Sequence, residues 1–263
     1  KIVLTGDTRP SRTRQVLRDL SLTIPAGEIT VIVGRSGCGK STLLKLLAGT
    51  EMPDTGTIRI PEGWHSAMLS PDPYVITWTS VQRNVAMACG VGKTPEERYE
   101  RASEFVRLVG LEDYADLTPV ELSTGMKQRL GIALSLMHDP EFLILDEPIN
   151  GLDPAGIVEM RKLMLRLNKE NGLTIIISSH ILSELANMAT CYGFIDHGQI
   201  LQEMSAEELE AKEKSYVKVR TSNGEKAAEY LSKELQLDAS YNADDDTIYI
   251  YFENNAVYPT EKI

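Results

Sequence analysis

The chain has 263 residues, of which 42% are hydrophobic and 25% are charged, as in an ordinary globular protein with a full core. It carries 27 Lys and Arg against 38 Asp and Glu, and the formal net charge of −11 argues against broad electrostatic binding to nucleic acid. No run approaches the roughly 18 to 20 apolar residues that span a bilayer, and no stretch resembles a signal peptide. These features predict a cytoplasmic protein, or one that docks on a membrane protein.

The first strand pattern lies at residues 16–24, "VLRDLSLTI", where Leu20, Leu22 and Ile24 alternate with polar residues. The turn sequence "PAGE" follows, and then the apolar run "ITVIV" at 29–33 has the composition of a buried strand. We therefore predict a hairpin that leads into a core strand.

Residues 34–41, "GRSGCGKS", match the pattern G-x-x-x-x-G-K-[ST] between a predicted strand and a predicted helix. The glycines let backbone N–H groups approach an anion, and the N-terminal end of the helix favours phosphate. A plain strand-to-helix turn is the alternative, but these fixed identities seldom coincide in the required context by chance. We expect a nucleoside triphosphate here, with Lys40 at its outer phosphates and the Ser41 hydroxyl on Mg²⁺. The predicted binding set is Gly34, Ser36, Gly37, Cys38, Gly39, Lys40, Ser41 and Thr42.

Helix signals interrupt the strand pattern over residues 72–140 and predict a helical insert. Thr94 and Glu97 have the spacing of a capping box, with Pro95 at the first helical position. Later in the insert, Ser123 of "LSTGMKQR" can cap an amphipathic helix whose apolar face carries Leu130, Leu134 and Met137.

Two short, nearly all-apolar runs follow, "FLILD" at 142–146 and "TIIIS" at 174–178, the pattern of strands covered on both faces. Between them, Asp153 can cap a helix that has Pro154 at its first position and runs to Gly172. Strands that alternate with helices predict a parallel sheet.

Polar side chains follow both of these runs. Asp146 and Glu147 end the strand "FLILDEP"; Asp146 would hold Mg²⁺ through water, and Glu147 would orient and deprotonate the attacking water. His180 lies just beyond "IIISS", and ligands gather at the carboxyl ends of strands in open α/β sheets. The predicted catalytic residues are therefore Lys40, Glu147 and His180, and the predicted metal ligands are Ser41 and Asp146.

The last part of the chain predicts a second, smaller domain. A hairpin around "DHGQ" at 196–199 is followed by an acidic connector at 204–214 and a β-α-β pattern over 215–263. "NADDD" before the last strand predicts a solvated turn, since it lacks the spaced ligands and glycine of a calcium loop. Cys38, Cys89 and Cys191 are widely spaced, without metal-ligand spacing, and predict reduced thiols.

Taken together, these motifs resemble the ATP-binding subunit of ATP-binding cassette (ABC) transporters, over residues 3 to 203. Residues 34–42 resemble its Walker A loop and 142–147 its Walker B motif, while "LSTGMKQR" is similar to the signature motif, commonly "LSGGQ". "NGLD", ending at Asp153, is similar to the D-loop, and His180 to the switch histidine. The resemblance implies an α/β fold: a P-loop NTPase core at 1–203 with a mixed, mainly parallel sheet, an N-terminal antiparallel β region, the helical insert, and a small C-terminal α+β unit.

The resemblance also implies the partners. Two cassettes, a homodimer or a pseudo-dimer with a second ATPase subunit, would close head to tail around ATP and Mg²⁺. Ser123 and the N–H groups around Gly125 of one would bind the γ-phosphate held by the other, with Asp153 nearby. A transmembrane permease, with the cassette on its cytoplasmic face, would dock in a groove that includes Tyr74, Trp78 and Val81; the alternative for these three is packing inside the insert.

Two family features are missing. The aromatic residue that stacks on adenine has no counterpart, since residues 1–63 contain no Phe, Trp or Tyr, and we expect Arg9, Arg12 or Arg14 to replace it. The Q-loop glutamine should fall at Pro71, or at Ser70 with a shift of one. Proline has neither a side-chain oxygen nor an N–H group, so we expect altered sensing of the γ-phosphate.

The resemblance differs between the two halves of the chain. Residues up to about 120 resemble ATPases of nitrate, sulfonate and taurine importers, whereas the later motifs and the C-terminal unit resemble bacitracin and lantibiotic-type exporters. We favour export of a peptide antibiotic or other drug-like substrate. The alternatives are an importer ATPase, a soluble ABC ATPase that acts on ribosomes or DNA, and a low-turnover regulatory subunit that binds ATP.

Overall fold

The chain folds as two units, and the boundary between them falls between Ser205 and Ala206. The structure is a computed structural model, and it describes residues 2–8, 15–89, 94–185, 188–212, 215–219, 221, 224–235, 237–242 and 247–252. The strands of the first unit are β1 (Ile2–Thr8), β2 (Leu17–Ile24), β3 (Ile29–Val33), β4 (Thr57–Arg59), β5 (Ser66–Leu69), β6 (Phe142–Asp146), β7 (Thr174–Ser179), β8 (Cys191–Asp196) and β9 (Gln199–Ser205). Its helices are α1 (Lys40–Leu47), α2 (Val81–Ala88), α3 (Pro95–Leu108), α4 (Thr124–Leu136) and α5 (Pro154–Asn171).

The central sheet, as far as the described residues show it, has the strand order β5-β6-β7-β3-β8-β9. The pairings from β5 through β8 are parallel, and β9 returns antiparallel to β8 across the predicted hairpin at 196–199. All five residues of β6 and all six of β7 are buried, as expected for strands covered on both faces. The predicted mixed, mainly parallel sheet is confirmed.

The hairpin predicted between β2 and β3 is wrong. β2 pairs antiparallel with β1, and β1 pairs with β4, so these strands form the separate N-terminal antiparallel sheet. β3 instead lies between β7 and β8 in the central sheet. The turn after Ile24 therefore carries the chain from one sheet to the other. The apolar alternation along β2 is confirmed, because Leu20, Leu22 and Ile24 are buried.

Three helices of the first unit begin where the sequence predicts. Thr94 and Glu97 form the reciprocal capping box of α3, with Pro95 in its first turn. The side chain of Ser123 caps α4, and that of Asp153 caps α5, which ends at Gly172 in a left-handed conformation. Short 3₁₀ turns at Glu112–Tyr114 and Pro119–Glu121 connect α3 to α4.

The core that supports the phosphate-binding loop lies between the two sheets and α1. Leu43, Leu44 and Leu47 of α1 are fully buried and belong to the same cluster as Leu22 and Ile144. Burying each leucine stabilises the fold by about 1.5–3 kcal/mol, so α1 is firmly held although it has only 8 residues. The loop before it is thereby fixed to the sheet.

The second unit has helices α6 (Ala206–Lys212) and α7 (Gly224–Lys233) and strands β10 (Ser215–Val219), β11 (Asp238–Asn242) and β12 (Thr247–Phe252). Its described strands pair antiparallel in the order β10-β12-β11. Ala228 of α7 packs with Ile248 and Ile250 of β12. Two expectations need correction: the connector at 204–214 contains the end of β9 and α6, and β11 was not foreseen. Most of "NADDD" lies outside the described residues.

Candidate active site

The loop between β3 and α1 is shaped by its glycines. Gly37 and Gly39 adopt positive φ angles of 78° and 113°, which side chains disfavour, and Gly39 is the N-cap residue of α1. A Cβ atom on Gly34 would collide with the carbonyl oxygen of Ile195 and lie 2.7 Å from Cys38 Sγ. The start of the loop therefore packs closely against Ile195 of β8 and against Cys38.

Lys40 lies inside this loop and is only 4% exposed. Its Nζ donates to the carbonyl oxygens of Gly34 at 2.8 Å and Arg35 at 3.1 Å, and lies 3.4 Å from Glu147 Oε1. A buried ammonium needs such partners, because an isolated one would be strongly destabilising. The loop thus holds a positive charge close to the carboxyl end of β6.

The other predicted members of the loop differ in exposure. Ser36 and Ser41 are exposed and Thr42 is half-buried, so their hydroxyl groups are accessible. Cys38 is buried, and its carbonyl oxygen accepts a hydrogen bond of 2.9 Å from the N–H of Gly198. Cys38 thus fills space and ties the loop to the β8–β9 turn.

Asp146 and Glu147, at the end of β6, share one hydrogen-bonding partner that the sequence did not single out. The Ser178 hydroxyl of β7 donates to Asp146 Oδ1 at 2.6 Å and accepts from the Glu147 N–H at 2.9 Å. Asp146 and Ser178 are register partners across the parallel strands. The polar pair "SS" that ends β7 could have drawn attention to Ser178. Its contact with Asp146, however, depends on the register between β6 and β7, which the periodicity of the sequence does not give.

The Glu147 carboxylate is held on both oxygens. Oε1 faces Lys40, while Oε2 lies 3.3 Å from His180 Nδ1 and accepts from Asn150 Nδ2 at 3.3 Å. Glu147 also has a positive φ of 49°, a conformation that only a few per cent of non-glycine residues adopt. Lys40, Glu147 and His180 are therefore in continuous contact. Asn150, within "NGLD", was not predicted to touch Glu147.

A cavity of about 80 Å³ lies beside Glu147 and is large enough for a water molecule. Its lining includes Glu147, Asn150, Ser179, His180 and Glu184. A carboxylate and an imidazole thus face a water-sized space at the carboxyl ends of the parallel strands. This arrangement is suited to activating a water molecule.

The predicted metal ligands fit Mg²⁺ by their chemistry. Asp146 offers a carboxylate and Ser41 a hydroxyl, the hard oxygen donors that Mg²⁺ prefers, and neither a thiol nor an imidazole competes in the pair. Asp146 is 2% exposed, and the bond from Ser178 is to its Oδ1. That bond leaves Oδ2 for other partners.

Ser123, Gly125 and Asp153 lie on elements other than the phosphate-binding loop. Ser123 Oγ accepts from Met126 N at 3.3 Å, and Asp153 Oδ1 accepts from Gly156 N at 3.2 Å, so both act as helix caps. A Cβ atom on Gly125 would lie 3.4 Å from Leu152 Cδ2, which places the start of α4 beside "NGLD". In the part of the chain that the structure describes, no hydrogen bond or ion pair joins Ser123 or Gly125 to the loop around Lys40.

The segment without the expected glutamine is held by α4. Pro71 is exposed, and its carbonyl oxygen accepts a bond of 2.6 Å from Nε2 of Gln128, which is buried. Gln128 was not foreseen as a contact of this segment. Ser70 lines a neighbouring cavity of about 330 Å³ between β5 and α4. Arg9, Arg12 and Arg14, expected at adenine, lie outside the described residues.

Of the three residues expected to line a docking groove, two are exposed and one is buried. Tyr74 is 94% exposed and Trp78 is 82% exposed, so neither packs inside the helical insert. Val81 is fully buried at the start of α2 and cannot face a partner. Among the residues that the structure describes, no helix is long and apolar enough to cross a membrane.

Comparison with known proteins gives consistent results. The family model described as ABC transporter matches residues 17–150, more than half of the chain. The bacitracin transport ATP-binding protein BcrA of Enterococcus faecalis is 35% identical over 247 residues, covering 90% of this chain and 79% of that protein. The taurine import ATP-binding protein TauB of Pseudomonas aeruginosa is 40% identical over 198 residues, covering 72% of this chain and 74% of that protein.

Among solved structures, cbiO1 from Clostridium perfringens, part of the ABC transporter complex cbiONQ, has a similar fold. Its TM-score is 0.73 at 26% identity, and the match covers 89% of this chain and 95% of that chain. The similarity thus extends from the sequence motifs to the arrangement of the strands and helices.

Proposed function

This chain belongs to the ABC transporter family and is an ATPase subunit of that family, and we propose that ATP-driven dimerisation of its first unit powers export through a separate membrane permease. The observation that carries the proposal is the continuous contact of Lys40, Glu147 and His180 beside a water-sized cavity. These groups supply a cation for phosphate and a base for water at one end of the sheet.

In the proposed mechanism the loop holds the ATP phosphates through its N–H groups and Lys40. The Lys40 ammonium already faces both the loop carbonyls and Glu147, so it can neutralise phosphate charge without leaving the site. Mg²⁺, held by Ser41 and Asp146, would supply further neutralisation of the phosphate oxygens.

Glu147 then acts as the general base. It takes a proton from the attacking water while the water oxygen bonds to the γ-phosphorus and the bond to the bridging oxygen of the departing ADP breaks. His180 and Asn150 hold Glu147 Oε2 during this step, which keeps the carboxylate directed at the cavity. Proton transfer to a general base contributes about 10²- to 10⁴-fold to the rate of such reactions.

The separation of Ser123 and Gly125 from the loop supports a two-chain site. Each lies at the N-terminus of α4, where backbone N–H groups favour an anion, but their described contacts are to α4 and to "NGLD". A second cassette placed head to tail would bring its own Ser123 and Gly125 onto the γ-phosphate. Hydrolysis removes that bridging charge and reopens the pair.

We favour export over import because of how far the matches extend. The first unit ends at Ser205, so an alignment covering 90% of the 263 residues must enter the second unit, and the match to BcrA does so. The match to TauB covers 72% of the chain, which the first unit alone can accommodate. The transported substrate would then be a peptide antibiotic. Import of a sulfonate is the second candidate, supported by the 40% identity to TauB.

The exposed aromatic side chains Tyr74 and Trp78 are the proposed contact with the permease. Both are large and strongly exposed, and exposed apolar surface can mark a protein interface. Their segment follows Pro71, which Gln128 ties to α4, so a permease helix seated there would be connected to the helix that Ser123 caps.

The variant Glu147→Gln tests the dimer mechanism. The amide keeps the size of the side chain but cannot accept the water proton, so we expect ATP binding without turnover and a stable dimer in Mg-ATP. Size-exclusion chromatography with light scattering measures this, and Glu170→Gln, an exposed change on α5, is the matched control that should remain active. A Glu147→Gln chain that binds Mg-ATP and stays monomeric would contradict the sandwich.

The direction of transport is tested in cells that lack this chain. Export predicts greater sensitivity to bacitracin-like peptides, restored by the wild-type chain and not by Glu147→Gln. Failure to grow on taurine or another sulfonate as sulfur source, with unchanged antibiotic sensitivity, would instead establish import.

A further inference from the structure

Ser178 connects the two acidic residues of the proposed active site. Its side chain is fully buried at the end of β7, at the register position opposite Asp146. The hydroxyl donates to Asp146 Oδ1 at 2.6 Å and accepts from the Glu147 N–H at 2.9 Å. One hydroxyl group therefore fixes the carboxylate of one residue and the backbone of the next.

Asp146 depends on this bond. It is 2% exposed, and a buried carboxylate without donors is strongly destabilised. Within the described ranges, the side-chain hydrogen bond that the Asp146 carboxylate accepts comes from Ser178. Since the bond is to Oδ1, it fixes the rotation of the carboxylate and so the direction of Oδ2.

Glu147 depends on the same hydroxyl through its backbone. Its φ of 49° lies in the left-handed region, which is unfavourable for a non-glycine residue. The N–H bond to Ser178 anchors the peptide group at the start of this turn. The turn directs the Glu147 side chain back to Lys40 and His180.

From these contacts we propose that Ser178 is a positioning residue for ATP hydrolysis, which sets Asp146 for the divalent cation and Glu147 for the attacking water. The proposal rests on the function proposed above and names how this chain aligns the two carboxylates. Partners that orient metal ligands commonly affect metal affinity or activity by about 10- to 100-fold when they are removed.

The test compares Ser178→Ala with Ser178→Thr, which keeps the hydroxyl, and with Ser135→Ala as control. Ser135 also hydrogen-bonds a neighbouring group, the carbonyl of Gly131, but lies on α4. Steady-state kinetics give kcat and KM for Mg-ATP. Electron paramagnetic resonance of free Mn²⁺ gives cation affinity in the presence of a non-hydrolysable ATP analogue.

We expect Ser178→Ala to lower kcat by about 10- to 100-fold, to weaken Mn²⁺ binding by about 10-fold, and to leave KM for ATP within about 3-fold of wild type. Ser178→Thr should recover both losses, and Ser135→Ala should show neither. Wild-type kcat and Mn²⁺ affinity in folded Ser178→Ala would overturn the proposal.

If Ser178→Ala does not fold, Ser178→Cys serves in its place, because the thiol is similar in size but a weak donor. It should show the same two losses, and wild-type values would overturn the proposal equally. Absence of ATPase activity in the wild-type chain would instead count against the proposed function, and the Mn²⁺ measurement would still decide the role of Ser178.

Discussion

At the scale of single residues, the candidate site consists of charged and polar side chains that contact one another. Lys40 is nearly buried, yet two carbonyl oxygens and Glu147 surround its ammonium. Glu147 is held in turn by His180 and Asn150. A change at one member therefore alters the surroundings of the next, so substitutions in this set will not have additive effects on activity.

The sequence predicted where the charged groups lie better than it predicted their partners. Walker-type motifs identify Lys40, Asp146 and Glu147, and the end of a strand identifies His180, because these depend on local pattern. Ser178, Asn150 and Gln128 act through bonds that depend on strand register, a turn at positive φ, and the approach of α4 to Pro71. None of these is visible in periodicity. The catalytic roles of the predicted residues stay predictions.

Cys191 provides a pH-dependent prediction. Burial, together with a hydrogen bond to Glu28, raises the pKa of its thiol to about 11. The thiol therefore stays protonated near neutral pH, and we expect iodoacetamide to modify Cys191 much more slowly than a free cysteine at about pH 7.5. Glu28→Gln removes the neighbouring negative charge, lowers the pKa and speeds modification.

The raised pKa of Cys191 also makes the free energy of unfolding depend on pH in a definite direction. Between pH 9 and 11 the unfolded thiol, with its ordinary pKa of 9.0, ionises before the folded one, so the free energy of unfolding falls as pH rises through this window. Cys191→Ala should remove that part of the fall.

For the labelling prediction, mass spectrometry measures the rate at which iodoacetamide modifies Cys191. A rate near neutral pH equal to that of free cysteine would contradict the raised pKa.

At the scale of elements, helix boundaries were predictable and strand partners were not. The caps at Thr94, Ser123 and Asp153 are local chemistry within one turn, and all three are confirmed. The β2–β3 hairpin was wrong because a short turn with strands on both sides does not say which sheet each strand joins. The partner of β2 is β1, and β3 joins β7 and β8 far along the chain.

Asn84, like Ser178, is a buried polar residue whose side chain makes several hydrogen bonds to a neighbouring segment. It is 3% exposed and holds the segment that carries Trp78: its Oδ1 accepts from Ile76 N at 2.7 Å, and its Nδ2 donates to Ile76 O and Thr79 Oγ1. We expect Asn84→Asp to lower the free energy of unfolding by about 2–4 kcal/mol, because an oxygen then faces the acceptors that Nδ2 satisfied.

Urea denaturation measures the effect of Asn84→Asp. Asn171→Asp, an exposed change at the end of α5, is the control and should cost less than about 1 kcal/mol. Equal stability losses in the two variants would show that the bonds of Asn84 do not organise the segment.

At the scale of the molecule, the chain combines Walker A, Walker B, signature, D-loop and switch-histidine motifs with a second unit, and the match to TauB is short enough to lie within the first unit alone. The first unit contains both proposed halves of the nucleotide site, Lys40 with Glu147 and Ser123 with Gly125, on elements that the described contacts do not join. We therefore propose that a second copy, or a paired ATPase subunit, completes each site.

The most direct test is the rate of Mg-ATP hydrolysis as a function of the concentration of the isolated chain, from nanomolar to micromolar, with Glu147→Gln as the blank. If two chains build each site, the rate rises faster than in proportion to concentration at the low end and becomes proportional once dimers predominate. The same result would show that the glutamine replaced at Pro71 is dispensable. Measurable hydrolysis with a constant rate per chain over the whole range, in a chain that stays monomeric with Mg-ATP, would contradict the account.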